Sequence, residues 1–193
     1  VDVINFSISG GGSPYSDPVS LAFLDAYEAG IFVAASAGNS GPGANTVDHR
    51  EPWTTTVAAS TSNRQFQSAL TLTGSTGSLT LLGASVTPAL STPAPVVVTA
   101  DSFCLSPFPA GTVAGKVVVC QRGVNARVEK SFNVLQGGAV GMILYNPTLQ
   151  GLATDNHFIP SVHLENNAGA QLNAFLAANP GGVTATLSAG TAT

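Results

Sequence analysis

The stretch Ile31–Gly43 reads IFVAASAGNSGPG and carries more information about the fold than any other part of this chain. Its short apolar run, which ends in small residues, predicts a buried strand. The glycines and the proline that follow predict a tight turn where the strand stops. Asn39 lies in this turn, and its carboxamide is suited to stabilise negative charge that develops in a transition state. The alternative is that Asn39 only tolerates the backbone conformation of the turn.

The residues before this strand predict a βαβ unit. Val1–Gly12 (VDVINFSISGGG) is an apolar strand that runs into a glycine cluster. Pro18–Gly30 (PVSLAFLDAYEAG) has apolar residues at helical spacing between an Asp-Pro start and a Gly stop. A strand, a helix and a strand in this order place two parallel strands side by side. The strand ends, at Ser9–Gly10 and at Gly38–Asn39, are then expected on the edge where ligands bind such sheets.

Three segments resemble subtilisin-like serine proteases. VINFSISGG (3–11) is similar to the family's strand that pairs with the substrate backbone. AASAGNSGPG (34–43) is similar to the segment that supplies the oxyanion-hole asparagine, and EPWTTTVAAST (51–61) to the next strand. The resemblance implies that Asn39 donates to the tetrahedral intermediate of peptide-bond hydrolysis.

The same resemblance implies two walls of a substrate-binding cleft. One wall is formed by Ser7, Ile8, Ser9 and Gly10, and the opposite wall by Ala35, Ser36, Ala37 and Gly38. Ser9 departs from the family's pattern, because many members carry glycine there, and this departure is expected to alter the floor of the cleft slightly.

The family's three catalytic motifs are absent from this sequence. It contains no Gly-Thr-Ser-Met-Ala, no His-Gly-Thr, and no Asp-Thr-Gly or Asp-Ser-Gly. Nucleophile, base and acid act as one unit, so we expect the chain to be the central segment of a secreted endopeptidase and to be inactive by itself. The alternative is a non-catalytic, protein-binding module that retains a remnant of a protease.

Two features invite a catalytic interpretation that the sequence disfavours. Asp48 and His49 are adjacent, and adjacent side chains of an extended chain point in opposite directions, so we expect a surface loop. Ser36 lies in ASAG and not in the Gly-x-Ser-x-Gly pattern of a nucleophile elbow. We therefore interpret Ser36 as a small residue at a close backbone approach.

The sequence after residue 63 predicts a second domain. Short segments rich in Leu, Val and Thr and separated by turn signals predict strands. These strands are Phe66–Thr73, Ser78–Val86, Pro95–Ala100, Gly115–Cys120, Val140–Tyr145, Ile159–Leu164 and Val183–Ser188. Helices are predicted at Arg127–Gln136 and Ala168–Ala178, and the proline residues of Ser85–Pro95 predict an extended loop.

This second part resembles the protease-associated (PA) domain, which is often inserted in large secreted subtilisin-like proteases. The resemblance is carried by GKVVVCQRG (115–123), GGAVGMILYN (137–146) and IPSVHLEN (159–166). It implies an α/β chain with a partial subtilisin-type parallel sheet at 1–63 and an α+β PA domain at 64–190. Residues 191–193 would begin the return to the catalytic domain. The PA domain is expected to modulate substrate access or protein contacts, including a homodimer.

Composition and charge are typical of a secreted protein. Only 8% of the residues are charged, and the chain contains 21 glycines and 12 prolines. The net charge of −4 gives no reason to expect nucleic acid or an anionic membrane as a partner, and no apolar run approaches the ~18 residues that span a bilayer. The expected partners are peptide or protein substrates and the remaining parts of the catalytic domain, with no cofactor or metal.

The two cysteines, Cys104 and Cys120, indicate a disulfide, because an even count in a secreted chain favours pairing. A metal site is the alternative, and the lack of histidines at ligand spacing disfavours it. His157 and His163 are interpreted as surface or packed histidines.

A basic patch formed by Arg122, Arg127 and Lys130 has two interpretations. It either holds an acidic group or forms a solvated first helical turn in which Glu129 offsets part of the charge.

Overall fold

The computed structural model describes residues 1–41, 43–60 and 63–193, which form two compact units, Val1–Ser62 and Asn63–Thr193. Pro42, Thr61 and Ser62 lie outside the described residues. They belong to the predicted turn at 38–43, to the predicted strand Glu51–Thr61 and to the predicted boundary between the domains.

The first unit contains a parallel sheet with the strand order β1-β2-β3. The strands are β1 (Val3–Phe6), β2 (Phe32–Ser36) and β3 (Thr55–Val57), and helix α1 (Pro18–Glu28) connects β1 to β2. The predicted βαβ unit is thus confirmed. The strand predicted within Val1–Gly12 ends earlier than expected, at Phe6, because the glycine cluster and the residues before it find no partner in the ladder. The described part of Glu51–Thr61 pairs with β2 only over Thr55–Val57.

Helix α1 begins at a proline behind a capping aspartate. The Asp17 carboxylate accepts hydrogen bonds from the Val19 and Ser20 N–H groups at 3.0 Å each. These bonds, led by the one from Ser20, lower the pKa of Asp17. Phe23 of the helix packs with Val33 and Ala35 of β2 in a small core. Ile4, Phe6, Ala26 and Trp53 border this core.

The second unit is a closed mixed sheet with two helices among its described residues. Its strands are β4 (Phe66–Gly74), β5 (Gly77–Ala84), β6 (Leu90–Val98), β7 (Val117–Gln121), β8 (Gly141–Tyr145), β9 (Ser161–Leu164), β10 (Thr184–Leu187) and β11 (Thr191–Ala192). The strand order is β10-β6-β7-β8-β9-β5-β4-β11, and β10 also pairs with β4, which closes the sheet. Strands β6 to β9 are parallel, whereas β4, β5 and β10 pair antiparallel to their neighbours.

The helices of this unit are α2 (Arg127–Gln136), between β7 and β8, and α3 (Asn166–Ala178), between β9 and β10. Strands β7 and β8 are buried on both faces: Val117 and Val119 belong to one core cluster, and Val118 and Cys120 to another. This explains why VVVC and GMILY are continuous apolar runs instead of alternating ones. Leu172 of α3 packs in the first cluster, and Val134 of α2 packs in the second.

The predicted loop Ser85–Pro95 is wrong over its second half, where β6 begins at Leu90. Before Val96, where pairing with β7 starts, this strand pairs with β10 alone. Its pairing with β10 is also irregular between Ala185 and Leu187. A strand that pairs on one side leaves alternate N–H groups unused, so it accommodates Pro93 and Pro95.

The predicted disulfide between Cys104 and Cys120 is present, and both half-cystines are fully buried. Lys130 of α2 is buried beside it and donates to the carbonyls of Phe103 and Gly123, at 2.5 and 3.0 Å, and to the Asn125 side chain. Burial lowers the pKa of Lys130, and all three ammonium protons have acceptors. The interpretation of Lys130 as part of a solvated helical turn is therefore wrong.

Among the residues that the structure describes, no helix has the length and apolar character needed to cross a membrane.

We expect the closed sheet to depend on Leu72, which is fully buried in the first core cluster. Leu72→Ala should lower the free energy of unfolding of the second unit by about 2–5 kcal/mol, because it removes apolar contacts and leaves a cavity. The matched control is Leu82→Ala on β5, because the side chain of Leu82 is 61% exposed. This variant should change the free energy of unfolding by about 0.5 kcal/mol or less. Denaturant unfolding followed by circular dichroism measures both, and equal losses would contradict this account of the core.

Candidate functional site

The carboxyl ends of β1 and β2 lie side by side because these strands are parallel and in register. Phe6, the last residue of β1, is opposite Ala35, one residue before the end of β2. The segments that follow, Ser7–Gly10 and Ala37–Gly38, therefore leave the sheet at the same edge. In an open parallel sheet this edge is the usual place for a ligand.

The turn after β2 places Asn39 at this edge. Gly38 has a φ of +82°, a left-handed conformation that glycine adopts without steric cost. The Ser36 hydroxyl accepts a hydrogen bond from the Gly38 N–H at 3.0 Å. Asn39 is exposed, and its carboxamide hydrogen-bonds to none of the described residues. The donor groups of Asn39 are therefore not used by the described part of the fold.

The other residues predicted for the cleft walls differ in what they present. Ser7–Gly10 is exposed, and the Ser7 hydroxyl accepts a hydrogen bond from the Asn5 side chain at 3.1 Å. Ala35 is only 2% exposed and packs in the core, so its side chain does not line the edge as expected. A shallow pocket beside the edge is lined by Phe6, Ile8, Ser9, Gly10, Gly11, Asp17, Val19 and His49.

Asp48 links the two segments that leave the sheet. Its backbone N–H donates to the Ala37 carbonyl at 3.0 Å. Its carboxylate Oδ2 accepts a hydrogen bond from the Gly10 N–H, also at 3.0 Å. The same oxygen lies so close to Gly38 that a Cβ built there would be 2.3 Å away. The Asp48 carboxylate therefore lies between Gly10 and Gly38.

His49 is buried, which corrects the expectation of a surface loop. Its ring Nε2 is 3.0 Å from the Ile8 carbonyl and its Nδ1 is 3.2 Å from Glu51 Oε1. The rings of Phe6 and Phe23 flank it at 5.5 and 6.0 Å. The prediction assumed an extended chain, but His49 has a φ of +52°, and this kink lets both Asp48 and His49 reach the segment Ser7–Gly10.

The hydrogen bonds of His49 orient its ring. A carbonyl oxygen only accepts, so Nε2 donates its hydrogen to Ile8. On the other side of the ring, Nδ1 is hydrogen-bonded to the Glu51 side chain, so both ring nitrogens have partners although the residue is buried.

The two arginines of the predicted basic patch, Arg122 and Arg127, find hydrogen-bond acceptors within the second unit. Arg127 donates to both carboxylate oxygens of Asp155, at 2.6 and 3.1 Å. These hydrogen bonds raise the pKa of Arg127 and lower that of Asp155. Arg122 donates to the Gly151 carbonyl at 2.7 Å. The acidic group held by this patch is therefore Asp155 itself.

His163 is a packed histidine, as one of the two interpretations predicts, and it lies in a polar network. Its Nε2 is 2.7 Å from Asn146 Oδ1, and its Nδ1 is 3.3 Å from the Ala153 N–H. The Asn146 amide in turn donates to Glu165 at 2.9 Å. Burial lowers the pKa of His163 to about 4, so the ring is neutral at neutral pH. His157 is half-buried beside Ser131, and burial lowers its pKa as well.

Within the described ranges, no group of three or more His, Cys, Asp or Glu side chains is arranged to hold a metal ion.

Comparison with known proteins shows which proteins this chain is related to. The family model of the PA domain matches residues 91–172. Subtilisin-like protease SBT1.6 of Arabidopsis thaliana is 37% identical over 93% of this chain and 25% of its own length. Subtilisin-like protease SBT1.3 of the same plant is 37% identical over 88% of this chain and 24% of its own length. This chain is a segment homologous to subtilisin-like proteases, and it contains a PA domain. Both predicted resemblances are confirmed.

The subtilisin-like segment spans about a quarter of the length of the curated relatives it matches. Among solved structures, an aminopeptidase from Aneurinibacillus sp. strain AM-1 matches 68% of the segment and 34% of its own chain, with 22% identity and a TM-score of 0.48. The subtilisin-like protease Apa1 from the Antarctic psychrotroph Pseudoalteromonas sp. AS-11 matches 98% of the segment and 54% of its own chain, with 17% identity and a TM-score of 0.41. Structural matches with these TM-scores and identities support no statement about the function of this chain.

We expect the edge of the subtilisin-like sheet to require glycine at position 38. Gly38→Ala adds a Cβ 2.3 Å from the Asp48 carboxylate and forces alanine into a left-handed conformation. The first unit should lose about 1–3 kcal/mol of unfolding free energy. The matched control is Gly43→Ala, whose Cβ would be 3.6 Å from Thr46. Fluorescence of Trp53, the single tryptophan, reports this unfolding, and equal stability of the two variants would contradict the close approach.

We expect the PA-containing unit to lose stability as the pH falls from about 6.5 towards 4. The pKa of His163 is about 4 in the folded chain and 6.5 as a reference value, so the unfolded chain binds a proton first and is favoured in this window. At about 1.4 kcal/mol per pKa unit, the loss amounts to about 3 kcal/mol. Unfolding of the wild type and of His163→Gln across this range is the measurement, and the variant should show the shallower dependence. Identical slopes would refute the assignment to His163.

Proposed function

We propose that this segment belongs to a secreted subtilisin-like serine endopeptidase, in which Asn39 stabilises the oxyanion of the tetrahedral intermediate. The observation that carries the proposal is the position of Asn39. It is exposed at the carboxyl edge of a parallel sheet, and its carboxamide has no hydrogen-bond partner among the described residues. Because this donor has no other bond to break, little reorganisation is needed when charge develops on the carbonyl oxygen of the scissile bond.

The backbone of the segment provides the rigidity that this role needs. Gly38 and the Ser36 hydroxyl define the turn that carries Asn39. The Ala37 N–H donates to the Val57 carbonyl at 3.0 Å, so the chain is held against β3 until one residue before the turn. A donor mounted on such a turn stays within the narrow range of geometry that stabilises a transition state.

The substrate is proposed to lie between Ser7–Gly10 on one side and Ser36–Gly38 on the other. Ser9 is exposed, and its N–H and C=O groups hydrogen-bond to none of the described residues. An extended peptide is able to add to such an edge by backbone hydrogen bonds, as a further strand does. The side chain of Ala35 is not part of this proposal, because it is buried in the core.

The nucleophile, base and acid are proposed to come from other parts of the whole protein, so the 193 residues alone would not hydrolyse peptides. Peptide or protein substrates are the proposed partners. The PA domain, which we place at 64–190, is proposed to modulate substrate access or protein contacts, including contacts with a second copy. Homology to the Arabidopsis proteases and the match to the PA family model support this division of roles.

Asn39→Ala in the full-length protein should lower kcat by about 10²–10³ with little change in KM, a loss of the size known for the oxyanion-hole asparagine of subtilisin itself. Steady-state hydrolysis of a chromogenic peptide measures both constants. Asn63→Ala, at another exposed asparagine, is the matched control and should behave as the wild type.

A rise in KM with kcat preserved would remove Asn39 from the oxyanion role. A full-length protein without any peptidase activity would instead favour the non-catalytic, protein-binding alternative.

A further inference from the structure

The segment Ser7–Gly10 follows β1 but is not held by the sheet, since pairing with β2 ends at Phe6. Something else must determine its distance from the turn that follows β2. Two polar contacts to this segment come from consecutive residues. The Asp48 carboxylate accepts from the Gly10 N–H, and the His49 ring donates to the Ile8 carbonyl, both at 3.0 Å.

The two contacts have a common anchor on the β2 side. The Asp48 N–H donates to the Ala37 carbonyl at 3.0 Å, so Asp48 bridges the two segments by itself. The Thr56 hydroxyl donates to the His49 carbonyl and thereby ties the same residues to β3. These contacts connect both sides of the edge through one short stretch of chain.

His49 is well suited to hold a fixed position. Its side chain and that of Glu51 are 2% and 1% exposed, and their hydrogen bond orients the ring. Phe6 and Phe23 limit its movement from two sides. A buried and oriented donor defines the position of its acceptor more narrowly than an exposed one, because fewer rotamers are available to it.

The contacts also leave the segment competent to bind. They use the carbonyl of Ile8 and the N–H of Gly10, whereas the polar backbone groups of Ser9 between them have no partner among the described residues. The side chain of Ile8 is 62% exposed. The segment is therefore held from one side and remains accessible at its centre.

We propose that Asp48 and His49 are positioning residues that hold Ser7–Gly10 at the distance from Ser36–Gly38 that an extended peptide requires. This inference rests on the proposed function. Asp48 acts as a hydrogen-bond acceptor and His49 as a donor, and neither takes part in the chemical step. A peptide that enters between the two segments then meets a wall that is already in place, so less of its binding energy is used for ordering.

The first test compares Asp48→Ala with Asp48→Asn in the full-length protein. Alanine removes the acceptor for the Gly10 N–H, and kcat/KM should fall by about 10- to 100-fold, mainly through KM. Asparagine keeps a side-chain oxygen at that place and should retain kcat/KM within about threefold. Asp25→Ala, at an exposed aspartate of α1, is the matched control and should leave both constants unchanged.

The second test compares His49→Leu with His49→Gln. The glutamine Nε2 replaces the imidazole donor to Ile8, so it should restore most of the KM that leucine loses. Thermal unfolding of each variant identifies any variant that fails to fold. In that case Asp48→Ala and Asp48→Asn decide the matter, because Asp48 lies nearer the surface.

Amide hydrogen exchange at Gly10 in the same full-length proteins provides a readout that does not depend on activity. The amide should be protected in the wild type and in Asp48→Asn, and should exchange at least tenfold faster in Asp48→Ala. Unchanged exchange and unchanged KM in Asp48→Ala would overturn the proposal. So would an asparagine variant that loses activity only towards cationic peptides, since the charge of Asp48 would then be reading the substrate. If the wild type has no peptidase activity, the proposed function fails, and exchange at Gly10 alone decides whether the contact holds the segment.

Discussion

The parallel pairing of β1 with β2 is the constraint on which the candidate site depends. The register sets Phe6 opposite Ala35, so the two strands end together and their continuations leave at one edge. Helix α1 makes this possible, since a parallel pair needs a long crossover to return the chain to the same end of the sheet. Asp17, which caps the start of α1, and Gly30, which follows its end, define where this crossover begins and ends. Every residue proposed to meet a substrate lies within a few positions of these strand ends.

The structure of this edge depends more on the close approach of Asp48 to Gly38 than on charge. Gly38 has no side chain, and the Asp48 carboxylate occupies the space where one would be. The carboxylate is thereby able to reach the Gly10 N–H on the other side of the edge. The side chains of His49 and Glu51 are hydrogen-bonded to each other, so neither is buried without a partner. The polar groups that support the site are thus satisfied by one another, and Asn39 alone among the site's side-chain amides is left with its donors unused by the described residues.

The second unit is organised differently from the first, because strand pairing closes its sheet. Pairing of β10 with both β6 and β4 leaves the main strands with neighbours on each side. The loops around it are held by buried polar groups whose partners are complete. Lys130 has three acceptors beside the Cys104–Cys120 disulfide, and His163 is held neutral between Asn146 and Ala153. Such groups are costly to bury unless each is paired, so they hold one loop conformation in preference to others.

The sequence by itself determined the βαβ unit, the turn that carries Asn39, the strands of the second unit around GKVVVC and GMILY, and the pairing of the cysteines. All of these depend on local signals: apolar periodicity, glycine and proline positions, and residue counts. Only the tertiary structure decided that Leu90–Pro95 is a strand, because its partner β10 is about ninety residues away in sequence and local prolines argued against it. Only the tertiary structure showed that Asp48 and His49 contact Ser7–Gly10. The positive φ of His49 and the separation of some forty residues produce no periodic pattern in the sequence from which these contacts could be predicted. Local conformation is encoded near each residue, whereas the long-range contacts that build the site depend on how the whole unit packs.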